Sequence, residues 1–254
     1  MALGMNKRLV AALAAFVSLG LVACGQSQPE PEHGGHDLPA ATAAREDADF
    51  ALRLALIEGH LMVARELIAD GQPENSLPHF GHPVRELYSD MLPVIVRRGG
   101  EQFDRDLVGL EGQVAREGNS PAFQAAFQAT LDKVRAARAL IPAEKWSDDA
   151  FILGIVADTA NVAAQEYRNA VIAGRIDSLI EYHDTRGFIY YLGEMLAGYQ
   201  GSDPRLAEAA TLVAELRTYV DQLNPPNPPR ATPEQFEAKV AEIRALLETP
   251  ATAP

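Results

Sequence analysis

From about residue 50 onward the chain repeats apolar residues at steps of three and four, the spacing of one helix face, and turn residues punctuate the repeats. Phe50, Leu54, Ile57, Leu61, Ala64 and Ile68 form the first stripe, ended by Gly71. Pro78 and Pro83 bracket the start of a second helix, in which Val84, Leu87, Leu92 and Ile95 face inward, Pro93 introduces a kink and Gly99-Gly100 closes the element. Phe103, Leu107, Leu110 and Val114 mark a third helix. A fourth opens on Ser120-Pro121 as cap and first turn and carries Phe123, Phe127, Thr130, Val134, Ala137 and Ile141.

Ser147 with Asp148-Asp149 caps a fifth helix expected to run to Gly174, with Ile152, Ile155, Val162 and Ala163 on its inner face. A sixth covers about 177 to 199, and a seventh, from 203 to 223, repeats Leu206, Ala209, Val213, Leu216, Val220 and Leu223. After the proline-rich break at 225–229, Thr232-Pro233-Glu234-Gln235 is a capping box for a last helix bearing Phe236, Val240, Ile243 and Leu247. β-branched runs are scarce. The fold expected is all-α, an antiparallel helical bundle of seven or eight helices with mostly short connections. It divides into a bundle domain at 43–224 and a proline-rich linker with a C-terminal helix at 225–254.

The first 42 residues lack this period. Lys7 and Arg8 precede a fourteen-residue apolar stretch, Leu9 to Val22, which is shorter than the roughly 20 residues a spanning helix needs and reads as an export signal. It leads into Leu21-Val22-Ala23-Cys24, and Cys24 is the only cysteine. This pattern resembles the lipobox of bacterial lipoproteins, which implies cleavage of a signal peptide at 1–23 and a covalent lipid, palmitate among its acyl chains, on Cys24. By the same resemblance, Gly25 after the cysteine implies release to the outer membrane of a Gram-negative bacterium, with the body facing the periplasm. Residues 24–42, rich in Gln, Pro, Glu and Gly, form a lipidated flexible tether.

The whole chain carries a formal charge of −13. Residues 1–23 hold Lys7 and Arg8 and no acidic residue, so the remainder has 20 basic and 35 acidic side chains, or −15. Such a body repels nucleic acid and attracts cations; its closest basic run is Arg97-Arg98, and no nucleic-acid partner is expected. There is no Gly-x-Ser-x-Gly elbow, no glycine-rich phosphate loop and no His-Glu-x-x-His pattern, so no enzymatic activity is expected either.

The chemistry sits in the histidines. His60 borders the first helix's core along a second stripe, Leu56, His60, Val63 and Leu67. It lies about 16 Å before Gly71, while Glu86 lies about 12 Å into the returning helix, so a hairpin brings His60 toward Glu86, His82 and His79. A second hairpin brings Glu166, on the stripe Ile155, Thr159 and Val162, level with His183, which has Glu181 and Asp184 beside it. A carboxylate on an apolar stripe is costly unless paired or bound to a cation. Imidazoles and carboxylates from facing helices are how bundles build iron, manganese or zinc sites. The candidate ligands are therefore His60, His79, His82, Glu86, Glu166 and His183, in one site or two. For His33 and His36, in the Gly-Gly tether, a disordered linker is the favoured reading over a weak metal scavenger. The structural alternative is a set of hydrogen-bonded core histidines, with Glu166 paired to Arg168 or Arg186.

Glu166-Tyr167, Ala170, Gly174, Ile176 and the run Glu181-Tyr182-His183-Asp184-Thr185-Arg186-Gly187-Phe188 resemble the extracytoplasmic helical domain of bacterial high-affinity iron permeases, which typically has glutamine where this chain has His183. The His79-x-x-His82-Pro83 and Glu86 region resembles imelysin-like periplasmic proteins associated with iron uptake, without their His-x-x-Glu spacing. Both resemblances imply transition-metal handling. The expected function is a lipid-anchored periplasmic protein that binds a metal ion, iron first and zinc or copper next, as an accessory to uptake or homeostasis beside a metal-transport partner. The alternatives are a non-metal scaffold or interaction lipoprotein and, further off, an imelysin-like hydrolase.

Overall fold

The computed structural model describes residues 40–249; the signal, Cys24, His33 and His36 lie outside them. Among the described residues the α-helices are α1 (Ala40–Ala69), α2 (Pro73–Ser76), α3 (Pro78–His82), α4 (Ser89–Arg97), α5 (Asp104–Glu117), α6 (Pro121–Ala136), α7 (Asp149–Ala170), α8 (Leu179–Gly198), α9 (Pro204–Tyr219) and α10 (Pro233–Glu248). Eight of these have nine or more residues. The fold is all-α, and its strands are two residues each, β1 (Val171–Ile172) and β2 (Arg175–Ile176).

The two stripes read on α1 merge. Phe50, Leu54, Ile57 and Leu61 are buried, and so are Leu56, His60, Val63 and Leu67. A helix covered on nearly all sides is a central one, and α1 packs against α8, α7, α6 and the α2–α3 corner. It meets α8 where both helices carry glycine. A Cβ built on Gly187 would stand 2.3 Å from the carbonyl oxygen of Gly59, and one on Gly59 would stand 2.6 Å from the Phe188 ring. Only hydrogen at both positions lets the backbones approach this closely.

The caps follow the sequence. Ser120 accepts from the Phe123 amide, Asp203 from that of Arg205, and Thr232 with Gln235 completes the capping box. Three expectations are corrected. The cap of α7 is Asp148, whose side chain accepts from the amides of Ala150 and Phe151, rather than Ser147. α7 ends at Ala170 instead of Gly174, because β-branched Val171 and Ile172 leave the helix to pair with Ile176 and Arg175 around Ala173 and Gly174, both at positive φ. On α10 the buried position is Leu246, while Leu247 is 45% exposed.

The second predicted helix is a composite. α3 runs to His82, a π-helical segment spans Pro83–Tyr88, and α4 continues with Pro93 inside it. Proline cannot donate the ordinary helical bond, and the widened turn accommodates that loss. α10 packs on α7 and α9; Tyr167 stacks on Phe236 with ring centroids 4.5 Å apart and donates its hydroxyl to the Ala231 carbonyl at 2.8 Å. The C-terminal helix is thereby an integral wall of the bundle. No helix among the described residues is long and apolar enough to cross a membrane.

Candidate functional site

Four helices deliver the site. His60 comes from the middle of α1, His79 and His82 sit three residues apart on α3, and His183 and Asp184 lie on α8 just before the glycine crossing. α7 brings Glu166 alongside. The crossing matters because it holds the His60 backbone against the turn of α8 that carries Asp184.

Asp184 is the centre. Its Oδ1 lies 2.6 Å from His60 Nδ1 and 2.7 Å from His79 Nδ1, and its Oδ2 lies 3.5 Å from His82 Nδ1. The His79 contact has hydrogen-bond alignment. His60 Nδ1 approaches as closely but off the line an N–H requires, so it is left without a hydrogen-bond partner, as is the buried Nε2 of His79. His60, His79 and Asp184 are all buried, and their ligand atoms lie within 4.8 Å of one another. The His60 ring packs edge-on against Phe188 at 4.9 Å, and the His183 ring lies 5.7 Å from that of His79. His183 Nε2 is 2.9 Å from the Leu223 carbonyl; donating there leaves its Nδ1 with a free lone pair, the orientation in which metal-binding histidines are usually held.

The charges are uneven. Burial works to raise the Asp184 carboxyl, but the charge of His60 and the close contacts of the surrounding imidazoles outweigh it and hold the group well below the usual carboxylate range. Burial lowers His79, only partly offset by Asp184, and lowers His183 to about 4. Both are thus neutral near pH 7, with lone pairs free to bind an electrophile. His82, less enclosed, is raised by its hydrogen bond to Asp184 against the effect of burial, with the charges of Asp184 and Glu86 adding. Burial raises Glu166, and the charges of Asp184 and then Glu181 push the same way.

The two predicted hairpin clusters form one group, because α8 lies against α1. His60, His79, His82 and His183 converge, and half-buried Glu166 lies within the field of Asp184 and His60. Arg168 and Arg186, its candidate partners, pair with Glu237 and Glu66 instead, and Glu166 has no ion pair among the described residues. Glu86 is exposed on the π segment and reaches the group only through its charge on His82. The residue missing from the predicted set is Asp184. Its signal was present: it stands four residues before Phe188 and eight before Leu192, on a stripe that is otherwise apolar.

Residues 142–254 match the family model of the iron permease-associated 4-helix bundle domain. This stretch contains α7, α8, α9 and α10, so the resemblance first carried by Glu166 to Phe188 extends over a complete set of four helices and links the C-terminal part of the chain to iron permease-associated function. No curated protein and no solved structure matches the chain. The site straddles the edge of the matched region: Glu166, His183 and Asp184 lie within it, whereas His60, His79, His82 and Glu86 come from the helices that precede it.

Proposed function

We propose that this protein is a non-enzymatic metal-binding lipoprotein of the cell envelope, held on the outer membrane through Cys24, that binds a transition-metal ion and presents it to a metal-transport partner of the iron-permease kind. One observation carries the reading: buried imidazoles converge on a single buried carboxylate, and two of their nitrogens, His60 Nδ1 and His79 Nε2, make no hydrogen bond. Unsatisfied buried polar atoms cost about 1–3 kcal/mol each, and a bound cation removes that cost. His60, His79 and Asp184 are the proposed ligands, His82 completes the set on the more open side, and His183 and Glu166 line its approach. Imidazole with one carboxylate suits iron, zinc or copper better than magnesium or calcium, which take oxygen donors. Iron comes first because residues 142–254 match an iron permease-associated domain.

The second reading, a structural hydrogen-bond network in an envelope scaffold, is favoured by the aligned His79–Asp184 bond. The two separate on a soluble form lacking residues 1–24. Metal analysis after anaerobic loading with ferrous, zinc or cupric ion should find one equivalent in the parent and none in Asp184→Asn. A network alone gives no retained metal in either protein. Processing at Cys24 is tested independently by the intact mass of the native protein, where an unmodified thiol would end the lipoprotein reading.

A further inference from the structure

A cavity lies apart from the histidine group and shares none of its residues. It has a volume of about 860 Å³ and opens where the linker between α6 and α7 crosses the end of α8. That size is within the range of small-molecule pockets, about 300–1,000 Å³. Its apolar wall is Ile141, Trp146, Met195 and Tyr199, and its polar wall is Arg135 and Arg138 above buried Glu58.

The polar wall is not closed by the protein's own charges. Glu58 takes Arg135 Nε at 3.0 Å and Arg138 Nη2 at 2.7 Å, and the same Arg138 nitrogen reaches the Tyr191 hydroxyl at 2.9 Å. One carboxylate thus faces two guanidinium groups that remain charged at any physiological pH. Neither terminal nitrogen of Arg135, nor Nη1 of Arg138, forms a hydrogen bond among the described residues. Arg98, also on the lining, is taken up by Glu46, Asp47 and the Leu140 carbonyl, and Glu194 stands exposed at the rim. Trp146 is fixed by its Nε1 donating to the Arg138 carbonyl at 3.0 Å, with the Arg138 guanidinium 5.4 Å from its ring. In a chain of net charge −13, a pocket with spare guanidinium donors on one wall and fixed aromatic rings on the other is a local exception that calls for an occupant.

We propose that this cavity binds an amphipathic organic anion, a carboxylate with an aromatic or aliphatic body, whose head is held by Arg135 and Arg138 and whose body lies against Trp146, Met195 and Tyr199. Guanidinium recognises a carboxylate through paired, charge-assisted hydrogen bonds, and the apolar wall supplies the remaining contact area.

Trp146 is the only tryptophan in the chain, so its emission reports occupancy of this cavity and of no other place. The full-length protein is titrated with 4-tert-butylbenzoate, with the neutral 4-tert-butylbenzamide and with cationic 4-tert-butylbenzylamine, by Trp146 fluorescence and by calorimetry. The carboxylate should bind saturably with a change in Trp146 emission, and about tenfold more tightly than either analogue, the ratio that one charged hydrogen bond supplies. Arg135→Gln should erase the preference while Arg135→Lys retains part of it; both leave Arg138 on Glu58 and should keep the parent's helical dichroism. Arg138→Gln provides the second test of the same head site. Equal affinities for the three compounds, no binding of the carboxylate, binding heat without a Trp146 response, or an unchanged preference in Arg135→Gln would each overturn the proposal.

Discussion

Two buried carboxylates stand on the two sides of Gly59, and they are neutralised in opposite ways. Glu58 is held by two arginines whose charge is permanent, and Tyr191 completes that network. Asp184, reached by the neighbouring His60, is surrounded by imidazoles whose charge depends on pH, with no hydrogen bond at His60 Nδ1 or His79 Nε2. The protein's own permanent charges neutralise the first carboxylate; the second is neutralised only with protons or a cation supplied from outside. The same two helices, α1 and α8, carry both, so burial and scaffold are shared and the partner chemistry alone makes the difference.

The harshest test acts on the shared scaffold. Gly187→Ala places a Cβ against the Gly59 carbonyl, where backbone rather than a flexible side chain must yield. Denaturant unfolding should show a loss of about 3 kcal/mol, and metal binding and the Arg138 network should weaken together. If only one of them suffers, the crossing does not serve both.

A smaller effect separates the two carboxylates. A metal at a hundredfold excess over its dissociation constant should stabilise the parent by about 2.7 kcal/mol. That increment should vanish in Asp184→Asn or His79→Ala and persist in Glu58→Gln. It should also shrink as pH falls through the lowered value of His79, where protons compete for the imidazole lone pairs. If iron, zinc and copper all leave the melting temperature unchanged, and His82→Ala is destabilised equally in chelator, the scaffold reading replaces the metal reading.

Glu58→Gln itself should cost about 2 kcal/mol, the scale of hydrogen bonds to a charged group, and by the same amount with metal or with chelator. A metal-dependent cost would mean that the two networks are coupled across Gly59.

The mildest expectation concerns alkaline pH. Burial raises the tyrosines of the core, Tyr167 to about 12, and also Tyr191 beside Glu58. A tyrosine ionises at its ordinary value near 10 in the unfolded chain. The stability these raised groups contribute is therefore complete below pH 10 and is lost as pH rises through their folded values. Tyrosinate absorbance should grow in step with loss of helical dichroism. If these tyrosines ionise near pH 10 with the helices intact, they are less enclosed than the packing indicates.

Periodicity was enough to find the helices, because a helix face that must be covered repeats its apolar residues at the same step whatever it packs against. Ser120, Asp203 and Thr232 marked helix starts because an oxygen at the cap satisfies an amide within the same turn, a purely local interaction. His60, His79, His82, Glu166 and His183 stood out as polar residues beside apolar stripes, and hairpin geometry alone placed them in two neighbourhoods. What depended on distance along the chain was decided elsewhere. The close approach of Gly59 and Gly187, 128 positions apart in the numbering, joins the two neighbourhoods into one and makes α1 a buried axis. It also selects Asp184 as the centre and leaves Glu86 at the surface, since which side of a helix meets a carboxylate follows from which helix lies opposite. Local spacing cannot contain that information: it specifies which face must be covered, and only the packing of α1 on α8 specifies what covers it.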